Sequence, residues 1–389
     1  MRVGIAALVC GYLLSQFYRA FLAVLAPVLK ADLGATAAEL AAASGWWFLA
    51  FAAMQLPIGA ALDRHGPRRT AGVLMAVGAG GAAVFALATA PWHLNLAMAL
   101  IGVGCAPVLM AGYFIFARSF PPARFGLLAG VMIGVGALGN VAASLPLSAA
   151  VEAFGWRETV WGLAGFTALV ALGILVLVRD PPSLAHHEKG SLMDLLRMPS
   201  IWPILAMMAV CYTPIAALRG LWVGPYFSDV HGYDPLQIGQ VGLWIGLAMV
   251  VGNFAYGPLD RWVGSRKWVI LGGNALTVLS VLGLWAFAEA PPIVAAGFLV
   301  AAGLFGASFP MVVAHGRAFI PPHLMGRGVT LLNLFGIAPI GLAQIATGWL
   351  YAATPADRAS APYEAVFLFF AVTTALGLVA YLWSRDRTD

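Results

Sequence analysis

Two arginines stand where arginine is costly. Arg19 and Arg219 lie 200 residues apart, each in the middle of a long apolar run, while the rest of the 21 lysines and arginines fall between such runs or at their ends. A cation at the centre of a membrane helix costs roughly 2.5–3.5 kcal/mol even on the lenient insertion scale. No aspartate or glutamate lies at comparable depth to neutralise either one. Snorkelling to the interface works only near a helix end, and Arg19 is about fifteen residues into its run, about 22 Å at ~1.5 Å per residue. Pairing with backbone carbonyls in a packed core is the alternative. The symmetric placing favours a ligand as the missing anion, and a guanidinium fork suits the oxygens of a carboxylate or phosphate.

The neighbours add donors. Tyr12, Gln16 and Arg19 stand at i, i+4 and i+7 and so share one helix face. Tyr212 and Arg219 repeat the first and last of these, with Ala216 in the place of the glutamine. Hydroxyl, amide and guanidinium groups together fit an anionic solute, although tyrosines at such positions also serve helix packing. Trp222, Tyr226, Asn140, Asn253 and Asn333 are further polar candidates in the same apolar runs.

The elements that must hold these residues are membrane helices. Apolar residues make up 61% of the chain and charged ones 10%, against about 25% charged in ordinary soluble domains. The net charge of +5 is scattered over short loops, with no basic patch interleaved with aromatics of the kind nucleic acid requires. Cys10, Cys105 and Cys211 lie within apolar runs and read as buried small hydrophobes. No metal, disulfide framework or cofactor is expected. The N-terminal run is too long for a signal core and is expected to be retained.

At ~20 residues per crossing, the apolar runs predict an all-α membrane protein with twelve transmembrane helices. They cover residues 4–28, 38–62, 70–89, 92–117, 124–151, 158–178, 201–228, 235–260, 267–287, 291–318, 326–352 and 362–384. With both termini on the cytoplasmic side, sixteen basic residues fall inside, among them Arg64, Arg68, Arg69, Arg118 and Arg317. Lys30, Arg157 and Arg358 fall outside. The positive-inside rule therefore sets the orientation.

The chain repeats itself. Gly59…Asp63-Arg64-His65-Gly66-Pro67-Arg68-Arg69 follows span 2, and Gly257…Asp260-Arg261-Trp262-Val263-Gly264-Ser265-Arg266-Lys267 follows span 8, at an offset of 197 between the aspartates. Arg118 after span 4 is answered by Arg317 after span 10. The domains implied are an N-terminal six-helix bundle at 1–179, a polar cytoplasmic linker at 180–200 and a C-terminal six-helix bundle at 201–389.

On these features the chain resembles the major facilitator superfamily over nearly its whole length. The most specific match is the loop after span 2, similar to the signature G-x-x-x-D-R-x-G-R-R, with Gly59, Asp63, Arg64, Gly66 and Arg69 in the matching places. The copy at Asp260, Arg261 and Gly264 is looser by one residue. The resemblance implies two bundles related by a pseudo-two-fold axis, alternating access, and spans 1, 4, 7 and 10 lining a central cavity. Paired arginines on spans 1 and 7 are also similar in position to the organophosphate and phosphate exchangers of that superfamily.

The loop chemistry is readable without the family. Gly66 allows a tight turn, and Asp63 at the end of span 2 can pair with an arginine or cap a neighbouring helix. Such contacts would close the cytoplasmic side in one state and break in the other, so Gly59, Asp63, Arg64, Gly66, Arg69, Asp260, Arg261 and Gly264 are candidate gating residues. His315, near the inner end of span 10, is expected to be exposed there.

The function expected is secondary transport of a small organic or phosphorylated anion in a bacterial inner membrane. The protein is expected to act as a monomer among lipids, by anion exchange or linked to protons. The substrate-binding candidates are Arg19, Arg219, Tyr12, Tyr212, Gln16 and Trp222. Drug or metabolite efflux is the first alternative; span 5 is glycine-rich but lacks the Gly-Pro step of the antiporter motif. A non-transporting sensor or assembly factor on the same fold is the second. An intramembrane enzyme would need a Ser/His pair, two aspartates or metal-binding histidines at depth, and the sequence offers none that pair.

Overall fold

The structure, a computed structural model, describes residues 2–181, 192–321 and 324–387. The side chains of Asp260 and Arg261, and the linker residues 182–191, lie outside the described residues. Among the described residues nine helices are long and apolar enough to cross a membrane, and two bent helix pairs also pass when each is joined. One of the nine, Ala37–Ala86, is 50 residues long and is broken at Gly66, where φ is 77° and ψ 164°. It therefore holds spans 2 and 3, and all twelve expected spans are accounted for. Their ends agree with the apolar runs to within a few residues: span 6 is Trp156–Leu177 and span 9 is Arg266–Ala286.

The chain divides into two compact units. Unit 1 is Met1–Ala185 with Tyr233–Gln240, and unit 2 is His186–Gly232 with Val241–Asp389. In unit 1, span 1 is the bent pair Val3–Tyr18 and Phe21–Leu33, and span 5 is the bent pair Leu127–Ala142 and Leu145–Phe154. Span 4 is Pro91–Ser119. In unit 2, spans 7, 10, 11 and 12 are Pro199–His231, Pro292–Arg317, Arg327–Ala353 and Ala361–Tyr381, and span 8, Pro235–Leu259, belongs to it from Val241 onward.

The glycines of span 5 have a packing role. A side chain at Gly139 would strike the Leu13 carbonyl of span 1, and one at Gly136 would strike the Tyr12 ring. Bare backbone on span 5 is what lets span 1 lie against it, as small residues do between membrane helices.

Each unit fastens its own ends with polar contacts. At the Gly66 end of unit 1, the Arg68 N–H donates to Asp180 Oδ1 at 2.8 Å, tying the start of span 3 to the chain leaving span 6. At the Gly264 end of unit 2, the Lys267 N–H donates to Asp386 Oδ1 at 3.0 Å, tying the start of span 9 to the chain leaving span 12. Lys267 Nζ also caps the Leu382 and Ser384 carbonyls. The two aspartates do the same work in the two halves, and the backbone at Gly66 and Gly264 is left-handed alike. At the far end of unit 1, Arg157 donates to the Ala86 and Ala88 carbonyls and to Asp32. At the far end of unit 2, Arg358 bridges Glu289 and Glu364, and the Tyr363 hydroxyl donates to Asp229.

This fastening overturns two expectations. His315 is fully buried, not exposed. Its Nε2 faces the Arg385 carbonyl at 3.0 Å and must donate to it, which leaves Nδ1 to accept from the Tyr381 hydroxyl. Span 12 stops at Tyr381, and the tail beyond it folds across the end of span 10 and covers the ring. Cys10, by contrast, is exposed on the surface of span 1, while Cys105 and Cys211 are buried as expected.

Asp386 carries a pH prediction. Partial burial works to raise its pKa, but hydrogen bonds from the Ser265 hydroxyl and the Lys267 N–H, with the charge of Lys267, outweigh this and hold it below its ordinary value. A carboxyl depressed on folding adds stability above its unfolded pKa, about 3.9, and loses it as pH falls through the folded value. Asp386→Asn should lower the thermal midpoint modestly at neutral pH. The gap to wild type should close when unfolding is followed into the acid range.

Candidate functional site

Arg19 sits in the turn between the two arms of span 1, which are bent by 49°. No proline or glycine stands at this break. Aromatic packing braces it: the Tyr18 hydroxyl bonds to Thr167 at 2.9 Å, and the Tyr18 ring meets Phe21 edge-on at 5.3 Å. The Arg19 guanidinium lies 5.0 Å from the Phe51 ring centroid and 5.2 Å from that of Trp47 on span 2. Those two rings stack at 5.1 Å. A guanidinium against stacked aromatic faces gains about 2 kcal/mol or more when desolvated. Among the described residues no carboxylate pairs with Arg19, and its Nε is buried without a hydrogen-bond partner.

One turn earlier, Gln16 Nε2 donates to the Tyr12 hydroxyl at 2.7 Å. The shared face inferred from spacing is therefore real for Tyr12 and Gln16, and Arg19 follows just past the helix end. Tyr12 itself is 6% exposed, seated on Gly136.

In unit 2 the phase reading fails. Tyr212 lies in a bend between helices Trp202–Cys211 and Thr213–Ala217, where Pro214 interrupts the hydrogen-bond ladder. Its ring packs on Phe309 with centroids 5.7 Å apart. Arg219 then falls inside a π-helical segment, Leu218–Trp222, and is 4% exposed. Tyr212 and Arg219 thus share no continuous helix. Trp222 is enclosed completely, with its indole N–H given to Thr347 Oγ1 at 3.2 Å. Gln344 Nε2 donates to the Ala217 carbonyl at 3.1 Å, so span 11 clasps both sides of the π segment. The sequence reading missed Gln344, Thr347 and Tyr351. Their spacing of i, i+3 and i+7 in an apolar span was the available signal.

At the loop after span 2, Arg118 Nη2 donates to Asp63 Oδ1 at 3.2 Å, and the Arg118 guanidinium lies over the Phe114 ring at 3.9 Å. Arg64, Arg69 and Gly59 are exposed. Gly66 has a double constraint: φ is 77°, and a Cβ there would stand 2.6 Å from the Asp180 carboxyl carbon. In the second copy Gly264 is also left-handed, with φ 72°.

Arg19 set on aromatic rings in one unit and Arg219 buried in the other, in a chain of membrane-length helices with an internal sequence repeat, fit a solute carrier. The sequence pattern of the Major Facilitator Superfamily matches residues 8–245 and again 220–389, and the chain belongs to that superfamily of secondary transporters. That membership also answers the enzyme alternative. The chain is 24% identical over 353 residues to the probable L-galactonate transporter of Escherichia coli (strain K12), covering 84% of this chain and 72% of that relative. Among solved structures it is similar to a bacterial homolog of the human lysosomal transporter Spinster, in an inward-facing and occupied conformation. That likeness has a TM-score of 0.77 and 17% identity, over 97% of this chain and 95% of the other. A D-xylose–proton symporter gives a TM-score of 0.78 and 14% identity, over 97% and 96%. At such identities these two likenesses show the fold alone.

Proposed function

We propose that this protein carries a small organic anion across a bacterial plasma membrane by alternating access, with both termini cytoplasmic and the halves 1–179 and 201–389 as its two moving bundles. The observation that carries this reading is Arg19, a guanidinium set on two aromatic rings with no carboxylate partner among the described residues. Arg219, buried in a π segment, is the cation of the other half, and Tyr12 and Gln16 lie on the helical arm that leads to Arg19. The relative named for L-galactonate, itself an organic anion, supports the same class.

Entry of an anion opposes an inside-negative potential by roughly 2.3 kcal/mol per charge per 100 mV. An importer therefore needs exchange against another anion, or protons carried in with the substrate. Counterflow of radiolabelled carboxylates and phosphate esters in proteoliposomes tests the reading. Exchange of at least one anion is expected. Transport of cationic amphiphiles alone would replace it with drug efflux, and no flux of any solute would favour the sensor.

The loop residues complete the reading. Asp63, which accepts from Arg118 within its own half, is the gating residue of that half, and the Asp260 copy serves the second half. Asp63→Asn should shift the population towards the inward-open state by a few-fold, about the worth of one half-exposed ion pair. Ligand binding should survive. Labelling of single cysteines from the two membrane sides reads the shift, and unchanged labelling would reduce the loop to a topology signal.

A further inference from the structure

Three buried polar atoms in unit 1 have no hydrogen-bond partner and lie on two neighbouring helices: Gln16 Oε1 and Arg19 Nε on span 1, and Trp47 Nε1 on span 2. Buried polar groups are nearly always satisfied, and an orphan in a bilayer has no water to turn to. Trp47 is fully buried, so solvent does not rescue its indole N–H. Trp47 is also one of the two rings beneath the Arg19 guanidinium. The orphans thus gather around the anion anchor of this half.

Their chemistry is not that of a bare anion site. Arg19 and Trp47 offer N–H donors, which any anion oxygen satisfies. Gln16 is different. Its amide nitrogen is already given to Tyr12 at 2.7 Å, so the atom left open is the carbonyl oxygen, which can only accept. A plain carboxylate brings no donor to meet it, and hydrogenphosphate, which does carry a P–OH, is for that reason one of the test ligands. A solute with a hydroxyl group near its carboxylate brings both.

We propose that the solute is a hydroxylated carboxylate, its acidic oxygens on Arg19 and a hydroxyl donated to Gln16 Oε1, with Gln16 the residue that sets this specificity. The proposal rests on the anion reading above and narrows it. Neither the superfamily nor the solved structures select it, although the relative named for L-galactonate, a hydroxylated carboxylate, is of the same class. A site built to bond a substrate hydroxyl discriminates strongly against the analogue lacking it, because its own polar group is then left unpaired.

The test uses the purified full-length protein and ligand pairs of equal carbon number: D-gluconate with hexanoate, L-tartrate with succinate, L-lactate with propanoate. Inorganic phosphate and the neutral polyol sorbitol complete the set. Thermal stabilisation titrations give each affinity. At least one hydroxylated member should bind about ten-fold or more tightly than its partner, the cost of one buried group left unsatisfied. In Gln16→Met that preference should collapse through weaker binding of the hydroxylated member, with the plain carboxylate little changed.

Equal affinities within every pair, or binding of phosphate above all the hydroxy acids, would overturn the proposal while leaving an anion carrier intact. Sorbitol bound as tightly as gluconate would overturn the anion reading itself and leave the hydroxyl contact standing. The wild-type comparison needs no variant, so poor folding of Gln16→Met would not shelter the idea.

Discussion

Arg19→Lys should abolish transport almost as completely as Arg19→Ala. Lysine keeps the charge, yet an ammonium is a point donor that cannot present two parallel N–H groups to one carboxylate. It also lacks the flat face that lies against Trp47 and Phe51 at 5.2 and 5.0 Å. Truncating one member of a buried, hydrogen-bonded charge pair costs about 2–5 kcal/mol, so counterflow should fall by about 30-fold at the least. Arg219→Lys should behave alike, since its backbone is fixed in the π segment and gives a replacement side chain little room to re-aim. The thermal midpoint separates the causes: both lysine variants should unfold close to wild type while failing to exchange solute. Full counterflow in both would sink the anion reading.

The second large effect belongs to Gly66. Alanine there must hold φ 77° with ψ 164°, a region nearly closed to L-residues, which costs roughly 1–3 kcal/mol. Its Cβ would also enter the space of the Asp180 carboxyl, 2.6 Å from the carbon. The carboxylate would have to leave, and with it the bond from the Arg68 N–H, worth about 1.5–3 kcal/mol for a charged acceptor. Gly66→Ala should therefore lower the thermal midpoint by several degrees, more than Asp180→Ala does. The double variant settles the cause. With the carboxylate already gone, alanine at 66 adds only the backbone strain, so the two losses should sum to more than the double variant shows. Strict additivity would mean that the glycine and the aspartate do not meet.

How much of this was legible beforehand depends on whether a feature is local. The twelve spans follow from apolar runs of sufficient length, and a bilayer forces those runs into helices. The tight turn at Gly66 was legible because the loop around it is specific. Asp180 was not: by composition it opens a polar linker, and only the fold brings it to Arg68, 112 residues away in sequence. His315 was misjudged for the same reason, since the tail that covers it lies 70 residues further on. At the candidate site, spacing put Tyr12 and Gln16 together, because span 1 is regular between them. It could not do so for Tyr212 and Arg219. The bend before Pro214 and the π segment both break the phase that a 3.6-residue period assumes.

The π segment at Leu218–Trp222 also decides where this chain can lose a residue. Removing one residue from a plain α-helix turns everything beyond the cut by about 100°, which would swing Tyr226 and Asp229 off the Ala288 and Tyr363 partners they now meet. A π bulge already holds one residue more than the α-helical path between its ends. A deletion inside it can relax to an unbroken helix with both flanks left in register. Span 7 should therefore tolerate the loss of Gly220 as a folded protein while losing the placement of Arg219. The same deletion at Ala206, in the regular arm, should prevent assembly. The span is thus a place where chain length and solute recognition can be edited separately from folding.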